Sequence, residues 1–149
     1  MTAGAGSGDP RLDGPPTDID PATVEAVGKV TEALETVEIA RGHLYAFHQL
    51  TGSADFKLGE AVDALRSAGH ETFADEVSAE LVGRNVLGGR WTFQVVEEYD
   101  DLYYEVFRDV ERRARELTGG ERHLWEAGLK RDRRTDGRPG HEATPGQVE

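Results

Sequence analysis

Apolar positions in this chain recur every three or four residues over long stretches and nowhere alternate, which predicts helices with one buried stripe rather than strands. Asp20 followed by Pro21 reads as a helix cap and first helical position. From there "ATVEAVGKVTEALETVEIARGHLYAFHQL" predicts a helix to about Leu50, ended by Thr51-Gly52. A shorter helix follows over "ADFKLGEAVDALRSA", capped by Ser53 or Asp55 and closed by Gly69. Its apolar face is Leu58, Ala61, Val62 and Leu65. A third helix, "HETFADEVSAELV", carries Phe73, Val77 and Leu81 and stops at Gly83. After the loop "GRNVLGGR", a second long helix runs from about Trp91 to Leu117 and ends at Gly119-Gly120. "ERHLWEAGLK" predicts a short fifth helix presenting Leu124, Trp125 and Leu129. Gly28 and Gly42 weaken the first helix by roughly 1 kcal/mol each against Ala, and one of them is a candidate for a bend or a close helix contact.

The predicted fold class is therefore all-α: a helical bundle of about four helices, two long and two short, plus a short C-terminal helix. Residues 1–18 are rich in Gly, Pro, Asp and Ser and are expected to be disordered, because they hold too little apolar surface to repay ordering. Residues 19–130 form the helical domain, and the polar stretch 131–149 is expected to be a mobile tail.

The two long helices carry the chemistry. At 100° per residue, Val27, Val30, Leu34, Val37 and Leu44 share one arc of the first. Arg41 and His48 sit in the middle of that arc, with Glu38 and Tyr45 at its edge. A cation on an apolar stripe needs a partner or a route to water. On the second long helix, Val95, Tyr99, Leu102, Tyr103, Val106, Val110 and Leu117 share an arc expected to face the core. A separate stripe carries Gln94, Glu98, Asp101, Glu105, Arg108 and Arg112. Glu105 and Asp109 have arginines three or four residues on, whereas Glu98 and Asp101 have none. Their candidate partners are Arg41, Arg84 and Arg90, and an Arg41 contact with Glu98 or Asp101 would satisfy both oddities at once. Trp91, after "GGR", is either the anchor where a helix begins or a surface on which a ligand stacks. The candidate ligand- or partner-binding set is thus Glu38, Arg41, Tyr45, His48, Arg84, Arg90, Trp91, Glu98 and Asp101.

Charge narrows the partners. The net charge of −12 is uneven: residues 20–107 hold 17 acids and 6 bases, whereas 108–138 hold 7 acids and 10 bases. An acidic body disfavours nucleic acid and favours solubility, a cation or a basic protein surface. Rings expected to be exposed, such as Phe93, Tyr104 and Trp125, point to self-association as a further expectation. Cysteine is absent, which excludes disulfides, thiolate metal sites and cysteine nucleophiles and suits a reducing compartment. No apolar run approaches a membrane span and the N-terminus lacks a secretory pattern, so a cytoplasmic protein without a membrane partner is expected.

Catalytic motifs are sparse. None of His43, His48, His70, His123 and His141 follows a Glu by three, so the diiron pattern fails. "HETFA" places Ala74 where a zinc-protease helix needs its second His. "GAGSG" has no strand before it and no helix at the spacing a phosphate loop requires. No catalytic residue, resident metal or cofactor is assigned; Glu98, Asp101 and His48 are the one loose cation set considered. The segments "ARGHLYAFHQLTG", "AELVGRNV", "GRWTFQVVEEYDD" and "GRPGHEA" together resemble a group of small helical proteins of actinobacteria, over about Glu38 to the tail. The resemblance implies a bacterial cytoplasmic origin and carries no activity or site. The expected function is a non-enzymatic binding or regulatory module using an acidic helix face. The alternative is a small-ligand or divalent-metal-dependent enzyme with its site between the two long helices.

Overall fold

In the computed structural model, residues 9–14 and 18–144 are described. The expectation of disorder over 1–8, 15–17 and 145–149 lies outside the described residues. The chain is all-α: no strand occurs among the described residues, and one isolated bridge joins Leu87 to Arg90.

Helix α1 spans Pro21–Ser67, 47 residues without a break. Its start is as the sequence predicts, with Asp20 Oδ1 accepting the N–H of Ala22 at 3.0 Å ahead of Pro21. The expected stop at Thr51-Gly52 is absent, and the predicted helix over 54–68 is the continuation of α1. The reason is energetic: one glycine costs about 1 kcal/mol, no proline interrupts two strong helical stretches, and Asp55, a candidate cap, accepts instead from the N–H of Gly83. The true stop is Gly69, at φ 90°, where the N–H of His70 reaches the carbonyl of Leu65 at 2.9 Å. Helix α2 covers Glu71–Glu80 and α3 covers Thr92–Tyr99. A π-helical turn, Asp100–Tyr104, leads from α3 directly into α4, Glu105–Glu116, and α5 covers Leu124–Arg133.

The chain forms two compact units, and α1 contributes to both. The first comprises the chain up to Glu35 together with Phe107 onward. Val24 and Val27 of α1, Ala127 of α5 and Thr118 are buried in it. Gly28 lets α5 approach closely, because a Cβ there would lie 3.0 Å from Trp125 Cβ and 3.2 Å from its Cγ. Glu111, 7% exposed, accepts from Thr31 Oγ1 and Arg115 Nε, both at 3.0 Å. Within the stretch expected to be disordered, Pro10–Asp13 forms a 3-10 turn that buries Leu12 and lies against α5. The polar stretch from 131 also departs from expectation. α5 continues to Arg133, with basic residues in its last turn where the helix dipole favours them. The following residues return along it, held by Lys130 Nζ on the carbonyl of Ala143 (3.2 Å) and by Thr144 Oγ1, which accepts the Asp9 N–H (2.8 Å). These contacts are polar, of a kind that apolar periodicity does not signal.

The second unit is Thr36–Val106. Val62, Ala74, Thr92 and Val96 are buried. Arg66 ties the end of α1 to α2 through Asp75 at 2.6 Å and Glu71 at 3.2 Å, and Asp55 accepts the N–H of Gly83 at 2.9 Å. The expected core arc of the second long helix is corrected here. Leu102 is 75% exposed and Tyr103, Val106, Val110 and Leu117 are exposed as well, while Val95 and Tyr99 are half-buried. The residues turned toward α1 in this unit are instead Thr92, Val96, Asp100 and Tyr104. Before the π turn the cause is that polar side chains, Thr92 and Asp100, provide much of the contact with α1. Beyond it, the extra residue of the π turn also puts a uniform 100° step out of phase.

Candidate functional site

Every residue of the predicted binding set lies in the second unit. Arg41 forms a bidentate ion pair with Asp100, Nε to Oδ1 at 2.7 Å and NH2 to Oδ2 at 2.9 Å. Its guanidinium also lies 5.0 Å from the ring centre of Tyr104, whose hydroxyl donates to Glu38 at 2.7 Å. The π turn sets both contacts, since Asp100 opens it and Tyr104 closes it. The expected partners of Arg41, Glu98 and Asp101, are therefore replaced by the adjacent Asp100. Two turns along α1, His48 Nδ1 lies 2.7 Å from Thr92 Oγ1, and the Tyr45 ring meets His48 edge-on with centroids 5.7 Å apart.

The remaining members form a second group at the start of α3. Arg90 pairs with Glu98 and also donates to the carbonyl of Gly88 at 2.9 Å. Trp91 gives its indole N–H to the carbonyl of Arg84 at 2.9 Å, and its backbone N–H to Gln94 Oε1 at 2.7 Å. This pins the loop to the beginning of the helix. Asp101 is exposed and, among the described residues, its carboxylate takes no hydrogen bond or ion pair. Glu98, Asp101 and His48 do not come together as a ligand cluster among the described residues.

The electrostatics are those of matched pairs. Hydrogen bonds from Arg41 hold the Asp100 carboxyl below its ordinary range, and Asp100 in turn pushes the guanidinium further up. Glu98 is lowered in the same way by Arg90. Such groups stay charged at neutral pH and are poor proton-transfer agents there.

Sequence reasoning missed Asp100 and Thr92 and expected Tyr104 to be an exposed ring, whereas it is half-buried against Glu38 and Arg41. The π turn that places Asp100 and Tyr104 leaves no mark in "DDLYY". It also missed a cleft of about 290 Å³ in the first unit, floored by Val24 and Val27 and bordered by Gly28, Thr31 and Trp125. At its border Glu35, His123 and Glu126 bring one ligand atom each within 4.8 Å of the others. His123 Nδ1 lies 3.7 Å from Glu126 Oε1 and 4.0 Å from Glu35 Oε1. The i, i+3 spacing in "HLWE" was the one visible signal for this group. No protein-family model, no curated protein and no solved structure matches this chain.

Proposed function

We propose that the protein is a non-enzymatic association module of the cytoplasm, and that its partner is a second copy of itself. The observation that carries this reading is the apolar surface of the second unit. Leu102 is 75% exposed, and Phe47, Tyr103 and Val106 are exposed beside half-buried Leu44, Val95 and Tyr99. Helical geometry gives these residues a common side. α1 and α3 run antiparallel here, since Arg41 meets Asp100 while His48 meets Thr92. Measured from those contacts, Ala40, Leu44 and Phe47 lie on the same flank of the pair as Val95, Tyr99 and Tyr103. Glu97, Asp101 and Glu105 lie on the opposite flank.

A second copy suits this face better than a basic partner. The acids that would attract a basic surface point away from it, and the face itself is almost uncharged. Two bodies each carrying many acids approach most easily through such a surface. Four exposed side chains leave on the order of 100 Å² each and the three half-buried ones less, so the face offers roughly 500 Å², and a dimer would draw on its immediate surroundings to reach the ~600–1,000 Å² each partner contributes to a stable interface. The enzyme alternative between the long helices gains little support, because its charged groups are paired with one another.

The test is the mass of the full chain in solution, by light scattering and sedimentation, for the parent and for Leu102→Glu and Val106→Glu. A dimer that both substitutions convert to a folded monomer is the expected result. A parent that is monomeric at high micromolar concentration overturns the proposal, as does a dimer that neither substitution weakens. A monomer that binds a basic protein through Glu97 and Asp101 would favour the acidic face instead.

A further inference from the structure

We propose that Glu35, His123 and Glu126 form a binding site for a divalent transition-metal ion of the zinc class at the border of the first unit's cleft. The site lies in the first unit and uses no residue of the apolar face of the second.

The three side chains come from two elements: Glu35 from α1, and His123 and Glu126 from the start of α5. The close packing of Trp125, which lies between His123 and Glu126 in sequence, on Gly28, two turns before Glu35 along α1, supports their approach. The separations of 3.7 and 4.0 Å are too long for hydrogen bonds, so the imidazole nitrogen converges on two carboxylates without bonding to either. They are close to what a shared ion would bridge. Donors each about 2.0–2.1 Å from a tetrahedral zinc lie roughly 3.3 Å apart, so the two histidine–carboxylate separations must contract by roughly half an ångström and the two carboxylates, within 4.8 Å of one another, by at most about 1.5 Å. Small rotamer adjustments of three exposed side chains supply that movement.

The donor chemistry selects the ion. One imidazole and two carboxylates make the nitrogen-and-oxygen set of zinc and its first-row neighbours. Magnesium and calcium prefer oxygen donors alone and, for calcium, more of them. Three protein ligands leave a fourth position for water or a small anion beside the cleft. The two carboxylates also balance the divalent charge, which an isolated histidine pair would not.

The experiment is calorimetric titration of the full chain with zinc, and separately with magnesium, using the parent, Glu35→Gln, Glu126→Gln and His123→Asn. Asparagine is chosen because position 123 has φ 58°, a left-handed conformation that Asn tolerates. The expected result is one zinc per chain in the parent, with affinity reduced about tenfold or more in each variant whose circular dichroism matches the parent, and no comparable response to magnesium. Zinc binding unchanged in Glu35→Gln or Glu126→Gln overturns the site, and so does parent binding no tighter than that of His123→Asn. Repeating the titration on the Leu102→Glu chain separates this outcome from the fate of the dimer, since the two substitutions lie in different units.

Discussion

Arg41 and Asp100 lie 59 residues apart in sequence, yet the guanidinium grips the carboxylate with two nitrogens, at 2.7 and 2.9 Å. Both side chains are about one quarter to one third exposed, so the pair is neither buried nor freely solvated. Arg41→Ala and Asp100→Asn are each expected to lower the melting temperature of the full chain. A double-mutant cycle should return a stabilising coupling larger than that of the more exposed Arg112–Asp109 pair on α4. Arg41→Lys should recover only part of the loss, because an ammonium cannot make the paired contact. Equal coupling for the two pairs would remove any special role for the π turn.

Two glycines of α1 should respond in opposite directions to the same substitution. Nothing lies within 4 Å of a Cβ built on Gly42, so Gly42→Ala should stabilise the helix by about 0.5–1 kcal/mol. At Gly28 the added methyl meets the Cβ of Trp125 at 3.0 Å, an atom close to the backbone that cannot swing aside. Gly28→Ala should therefore destabilise the first unit and alter tryptophan fluorescence. Thermal unfolding followed by circular dichroism and by fluorescence distinguishes the two.

Glu111 is the acid most enclosed by its neighbours, with Thr31 and Arg115 bonded to its carboxylate. Glu111→Ala strands the Arg115 guanidinium in a partly buried place and should cost about 2 kcal/mol or more. Glu111→Gln keeps an acceptor for Thr31 and should cost less. Urea unfolding of the two variants and the parent checks the order.

Acid should loosen the fold well below the usual carboxylate range. The Arg11 guanidinium lowers Asp9 from 3.8 to about 2, and Asp100, Glu98 and Asp109 are lowered by Arg41, Arg90 and Arg112. A carboxyl whose pKa is lower in the folded chain contributes stability that is present above its unfolded value. That contribution disappears as pH falls through the folded value. For Asp9 the window runs from 3.8 down to about 2. Stability measured across this range should fall, and Asp9→Asn should flatten the part of the slope that comes from the first unit.

Much of the fold was legible and much of the contact pattern was not, for physical reasons that differ by residue. Asp20-Pro21 and Gly69 act locally, through a cap bond and a positive φ, and the sequence predicts both ends of α1 from them. Thr51-Gly52 also looked like an end, but a weak local preference lost to the helical stretches on either side. Arg41 and His48 were flagged by their place on the apolar arc and do turn inward to partners. Their partners were misassigned because the arc was chosen by apolar content, Val95 and Tyr99, whereas the neighbouring line Thr92, Val96 and Asp100, two of them polar, faces α1. His123 was passed over because its significance depends on Glu35, more than 80 residues away, and no local pattern encodes that meeting.

The hydrogen bond from the Asp9 N–H to Thr144 Oγ1 has an engineering consequence. It brings two positions 135 residues apart in sequence to within 2.8 Å of each other. A linker of a few residues could therefore join them, and new termini could be opened at Gly88-Gly89, where the chain turns between α2 and α3. Such a rewired chain would keep each helix intact while moving its ends to the other unit.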